Sequence, residues 1–179
     1  MAGRFPSRFH LALLGLIALA TLQIHAQTSG IFLCTGSAST NFQLADYQAC
    51  PKPNATTALS FSFGASLPVT SSGGTVTVGQ TSVSQFTIQK SIDRTTTRWA
   101  TSVYSNTPIA PVLAIGINYA GGPSGNVNVT IKLTNPRVIQ FGHSGSSDIP
   151  TETISLSYDS ITVYDNSTSP AKVVKWTGL

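Results

Sequence analysis

"PTETISLSYDSITVYD" (residues 150–165) alternates apolar and polar side chains in two phases. Ile154, Leu156 and Tyr158 fall on one face of an extended chain; Ile161 and Val163 then carry the apolar face on the opposite parity. Side chains along a strand repeat every second residue, so moving the apolar set by one position needs a bulge or a change of the sheet faced. Asp159-Ser160 is where the shift falls. Bends of this kind are what closing a sheet into a small barrel demands, and the stretch is expected in a barrel wall.

The runs around it read as further short strands separated by Gly, Pro, Ser and Thr. "PVLAIGINYA" (111–120) places Leu113, Ile115, Ile117 and Tyr119 on one face, and "VNVTIKL" (127–133) does the same for Val127, Val129, Ile131 and Leu133. With "GGPSGN" (121–126) between them they predict a hairpin. "IFLC" (31–34) opens the fold and leads into a polar loop that holds Asp46 and the second cysteine. "ALSFSFGAS" (58–66) puts Leu59, Phe61 and Phe63 on one face, and "SVSQFTIQK" (82–90) turns Phe86 and Ile88 inward. Between these, "LPVTSSGGTVTVGQ" (67–80) reads as an extended Gly-rich loop or loose hairpin outside the core. One segment departs from the β pattern. In "SIDRTTTRWATSVYSN" (91–106), Trp99 and Val103 stand at i and i+4 beside Ala100 and Tyr104. Asp93 is placed to cap a helix there, and Asn106 before Thr107-Pro108 to stop it. The expected class is mainly β: a compact antiparallel β-barrel with one short α-helix, and no repeat or second domain.

The first 26 residues are expected to lie outside that fold. "MAGRFPSRFH" carries Arg4 and Arg8, the apolar run "LALLGLIALATLQI" follows, and Ala26 stands at a plausible cleavage point. That is the layout of a secretory signal peptide. A membrane anchor is the alternative, but the run is short of the roughly 20 apolar residues that span a bilayer. The domain is then 27–179, about 153 residues of the 179, enough for a single core. Without Arg4 and Arg8, eight of the ten basic residues remain against six acidic ones, and the net charge is about +2 and scattered. Nucleic-acid binding needs a clustered positive footprint, which is missing. Cys34 and Cys50 both lie in this domain. In an oxidising compartment an isolated pair most simply forms one disulfide, worth roughly 3 kcal/mol in the chain-entropy picture. Two free buried thiols are the alternative.

A catalytic set is hard to assemble. Nucleophilic serine chemistry needs a base, and 27–179 offers one histidine, His143, in "QFGHSGSSD" (140–148). Ser144 and Asp148 beside it suggest a triad, yet sequence neighbours on a Gly/Ser-rich loop seldom have triad geometry; a solvated loop histidine is expected. Paired-carboxylate hydrolysis would need Glu152, the one glutamate, with Asp148 or Asp159 in a cleft. No Cys-His spacing fits a metal, "SSGG" and "GPSG" lack the lysine and helix of a phosphate loop, and no cofactor is expected. Asn54, Asn128 and Asn166 begin Asn-x-Thr triplets, read here as chance in an Asn- and Thr-rich chain. Trp99 and Trp176 could form a stacking platform for sugars, which would make the chain a monomeric exported β-sandwich binding module for carbohydrate or cell surface. Trp99 on the inner helix face favours core packing instead, and the tail "KVVKWTGL" (172–179) is a last strand or an interface arm.

Read in order, these stretches resemble the haemolysin-coregulated proteins (Hcp) that form the tube of bacterial type VI secretion systems. "IFL" lies where those proteins begin with a strand, "LSFSFGAS" resembles their second strand, and 69–80 falls at their extended loop. "QFTIQKSIDRTTTRWATSVYSNTPI" resembles their strand, aspartate and short-helix passage. "VTIKLTNPRV" and "PTETISLSYDSITVYD" are the nearest matches, and the likeness runs from about residue 31 to 165. It implies a barrel with a flanking helix that assembles into a six-membered ring, stacks into a tube and can carry effector proteins in its lumen, without enzymatic activity. Members normally lack a signal peptide, and the Cys34–Cys50 loop is not part of the family pattern. The expectation is therefore a ring-forming homo-oligomer in the periplasm or medium, without a stable membrane anchor.

Overall fold

The computed structural model describes residues 29–119, 129–145 and 149–177, so the leader, Val127, Asn128 and Asp148 lie outside it. The chain begins with β1 (Gly30–Thr35), α1 (Leu44–Ala49), a 3-10 turn at Lys52–Asn54, β2 (Ala55–Ala58) and β3 (Ser60–Ser62). Four short strands follow: β4 (Ala65–Ser66), β5 (Val69–Ser72), β6 (Thr75–Val78) and β7 (Ser82–Val83). Then come β8 (Phe86–Ser91), α2 (Thr96–Ser105), β9 (Val112–Asn118), β10 (Val129–Thr134) and β11 (Arg137–Ser144). The described chain closes with β12 (Thr151–Ser157), β13 (Ser160–Asp165) and β14 (Lys172–Thr177).

Six strands form one antiparallel sheet in the order β14-β13-β10-β9-β1-β2, and four form another, β11-β12-β8-β3. The opening phase slip is the passage between them. β12 pairs with β11 and β8 in the smaller sheet, whereas β13 pairs with β10 and β14 in the larger. The apolar parity changes because the chain changes sheets at Tyr158-Asp159. β10 and β11 make the same passage in the other direction at Asn135-Pro136. The two bends are tied together: Asn135 Nδ2 donates to Asp159 Oδ2 at 2.6 Å, and the Asp159 amide donates to Thr134 O at 3.0 Å. Pro136 has no amide to leave unpaired, and its carbonyl accepts the Ile109 amide at 2.8 Å. At a third corner, β2 of the large sheet runs into β3 of the small one, and the Leu59 amide between them donates to Gln89 O at 2.8 Å. The mainly antiparallel β class with helix α2 is as the sequence implies. The wall is built differently from a closed barrel: two separate ladders meet at corners made by strands that switch sheets.

The main core fills the space between the sheets. Phe86 and Ile88 of β8, Leu113 and Ile115 of β9, Leu133 of β10, Ile154 and Leu156 of β12 and Ile161 of β13 have no exposed surface. Trp99 of α2 joins them at 1 % exposure, its Nε1 donating to Thr95 Oγ1 at 3.0 Å. The β9–β10 hairpin has the register expected of it, Leu113 opposite Leu133 and Ile115 opposite Ile131. Two side chains assigned inward are not. Leu59 sits at the β2–β3 corner and Tyr119 just past the end of β9, and both are more than half exposed. Helix α2 starts later than the Asp93 cap implies. Asp93 Oδ1 instead accepts hydrogen bonds from the amide and hydroxyl of Thr95, which is the N-cap residue. Asn106 ends the helix with φ 48°, in the left-handed region that asparagine tolerates. The polar loop after β1 contains a second, six-residue helix, α1, in which no residue is buried. Its one apolar pair, Leu44 and Tyr47, is only partly buried against the sheet, too short a pattern to read as a helix. The tail is a last strand, β14, paired along β13.

Candidate functional site

Among the described residues, those singled out for catalysis do not meet. His143 is on strand β11, not in a loop; it is exposed, and its ring stands edge-on to Phe141 at 4.8 Å. Ser144 is the next strand residue and so projects to the opposite face. Glu152 is fully buried near the start of β12, while Asp159 is exposed beyond its far end, roughly 20 Å away by strand rise. Glu152 and Asp159 therefore do not bracket a cleft. No group of three or more His, Cys, Asp or Glu side chains among the described residues is arranged to hold a metal ion. Trp99 is buried, and Trp176 packs on the core opposite Ile161, so neither is an open platform for a sugar ring.

Glu152 has another occupation, which the sequence did not reveal. The Lys90 ammonium, with no exposed surface, lies 2.6 Å from Glu152 Oε1 and 2.9 Å from Asp93 Oδ1, and donates to Ser91 O at 2.8 Å. β8 and β12 are adjacent with Lys90 opposite Glu152, so the register itself sets the ion pair. Thr56 of β2 donates to Asp93 Oδ2, which brings a third strand into the network. Burial would push the Asp93 carboxyl up, but the hydrogen bonds from Thr56, Thr95 and Lys90 together hold it below 3.8. Arg98 of α2 donates to Asn54 Oδ1 and, at 2.7 Å, to Ile109 O. These polar contacts lock the start of α2 to both sheets. They are structural, since the lysine has no solvent face from which to act.

The surface that stands apart is the arm between β3 and β8. From Pro53 to Gln89 the sequence has no charged side chain. β4 pairs with β7 at its base and β5 with β6 beyond, in the register Val69–Val78, Thr70–Thr77, Ser71–Val76 and Ser72–Thr75. Gly73 and Gly74 make the tip with φ values of 58° and 82°, the positive pair that a tight two-residue hairpin turn requires. At Gly79 a Cβ would come within 2.8 Å of the Pro68 ring, so only glycine lets the two strands approach there. Pairing sorts the side chains. Val69, Val76 and Val78 share one face, and Thr70, Ser72, Thr75 and Thr77 the other. The three valines are 58 %, 62 % and 57 % exposed. An amphipathic ribbon with its apolar side open is built to be covered. Free strand edges accompany it: β11 pairs only with β12, and β14 only with β13. Among the described residues no helix is long and apolar enough to cross a membrane.

The family model described as "Type VI secretion system effector, Hcp" matches residues 48–164. Among solved structures, the chain is similar to a type six secretion system protein at 19 % identity and TM-score 0.62, over 84 % of this chain and 96 % of that one. It is similar to Hcp1 from Salmonella typhimurium at 18 % identity and TM-score 0.59, over 84 % and 95 % of the two chains. A type VI secretion system effector from Yersinia pestis gives 16 % identity and TM-score 0.58, over 83 % and 99 %. At such identities the likeness is one of fold. No curated protein matches the sequence significantly.

Proposed function

The chain belongs to the Hcp family of type VI secretion proteins, and from that premise we propose that it is a non-enzymatic, ring-forming structural protein, six copies to a ring, that serves as conduit or effector carrier. The observation that carries this reading is the uncharged arm, whose three exposed valines form an apolar face with no cover among the described residues. A second copy supplies the cover without introducing charge. Ring closure would also occupy the free edges of β11 and β14, which are otherwise sites of uncontrolled pairing.

The ring works outside the cytoplasm in this reading, reached through the leader at residues 1–26. The bond joining Cys34 to Cys50, with Cα atoms 6.1 Å apart, supports an oxidising destination. Light scattering behind size-exclusion chromatography and negative-stain micrographs of the secreted chain test the assembly. Annular particles about six times the monomer mass are expected; a strict monomer at high concentration would remove the proposal.

A further inference from the structure

After β1 the chain leaves the large sheet, crosses its outer side and returns at β2. This segment covers an apolar cluster of its own. Phe32, Cys34 and Ala114 come from the sheet, Phe42 and Cys50 from the segment, and none is more than 5 % exposed. Phe32 and Cys34 alternate with Leu33 along β1, and Ala114 with Leu113 and Ile115 along β9, so this cluster lies on the opposite side of the sheet from the main core. The two cores share a sheet but no side chains. Separate packing of this kind allows one part to open while the other holds.

The fastenings of the segment are few. The Phe42 amide donates to Thr130 Oγ1 at 2.9 Å, Lys132 Nζ donates to Ala38 O at 2.8 Å, and the Tyr47 ring lies 5.0 Å from that of Phe32. α1 buries no residue and is too short to persist without tertiary support. Gly36, at φ 92° and with its amide donating to Val112 O at 2.7 Å, is where the segment leaves the strand. The one covalent fastening is the disulfide, whose cysteines are 4 % and 5 % exposed and border a surface cleft. A cleft of about 300 Å³, lined by Gly36, Asp46, Ala49 and Pro51, opens onto Cys34 and Cys50. Asp46 is the one charged group lining it, which favours a reductant that carries no negative charge beyond its attacking thiolate.

We propose that residues 36–50 are a redox-released flap over the outer side of the large sheet. A small dithiol passes two electrons and two protons to the Cys34–Cys50 bond and leaves as its cyclic disulfide, and both cysteines become thiols. The flap then detaches while the two sheets stay folded, baring Phe32, Ala114 and Thr130. The switch is independent of ring formation.

Hydrogen–deuterium exchange of the full chain, before and after dithiothreitol, tests this. Amides of residues 37–49 should exchange faster once the bond is cut, because Cys50 is no longer pinned beside Cys34 although β1 and β2 still hold the two ends of the segment together. Amides of β8, β9 and β12 should stay within about a factor of two on the same scale. A Cys34→Ser/Cys50→Ser double variant should match the reduced protein without reductant. Three results overturn the idea: an intact mass showing two free thiols before reduction, unchanged exchange in 37–49 after it, or equal acceleration through β8, β9 and β12.

Discussion

Lys90 holds its charge where no water reaches it, between Glu152 and Asp93. Removing one partner of such a pair strands the other, at a cost of roughly 3–5 kcal/mol, whereas replacing both with apolar groups is often neutral. Lys90→Met strands the Glu152 carboxylate and should therefore lower unfolding free energy by about that amount in a urea titration, and adding Glu152→Leu should recover most of it. Equal losses in the single and double variants would contradict the pairing. Asp93 adds a pH dependence. Its carboxyl binds a proton less readily in the folded chain than at the ordinary 3.8, so its stabilisation is complete above 3.8 and fades as pH falls through the lower folded value. Thermal midpoints measured downward from about pH 5 should drop, and Asp93→Asn should flatten part of that drop. None of this was legible in the residues alone. "FTIQK" reads as a strand with Phe86 and Ile88 inward, and only the register against β12 sets Lys90 opposite Glu152. His143 misleads in the opposite sense: a chemically suggestive residue that the structure leaves with an aromatic neighbour and no nucleophile.

Strand faces were the most readable elements, because burial on one side imposes an alternation that no loop sustains. Phe86 with Ile88, and the β9–β10 partners, lie where the pattern puts them. The pattern failed where a strand ends or turns a corner, as at Leu59 and Tyr119, since alternation does not report which residues have an opposing sheet. It also showed the slip after Tyr158 without showing whether the chain bulged or moved to the other sheet. The arm is an element of another kind: its valines alternate with Thr and Ser, yet its apolar face stays open among the described residues. Val76→Lys with Val78→Lys places two charges on that face. Chemical denaturation of the variant monomer should change by no more than about 0.5 kcal/mol, as for other open surface positions, while light scattering should show the assembly lost. Rings that persist with both lysines in place would assign the contact elsewhere.

For the molecule as a whole, the two sheets are not independent bodies. β10–β11 and β12–β13 each give one strand to either sheet, and β2–β3 does the same at the third corner. Unfolding of the oxidised chain should accordingly be a single transition, with Trp99 fluorescence and far-ultraviolet dichroism sharing one midpoint in urea. Separate midpoints would mean that one sheet outlasts the other. The same shared strands bear on how the protein is made. β12, which sits between β11 and β8, and β13, which pairs with β10, both come from the final third of the sequence. Until that portion emerges, neither ladder has its middle, and distant pairings of this sort form slowly. In the proposed export route the polypeptide would thus stay pliable while threaded through a translocation pore, and harden once β12 and β13 have come through.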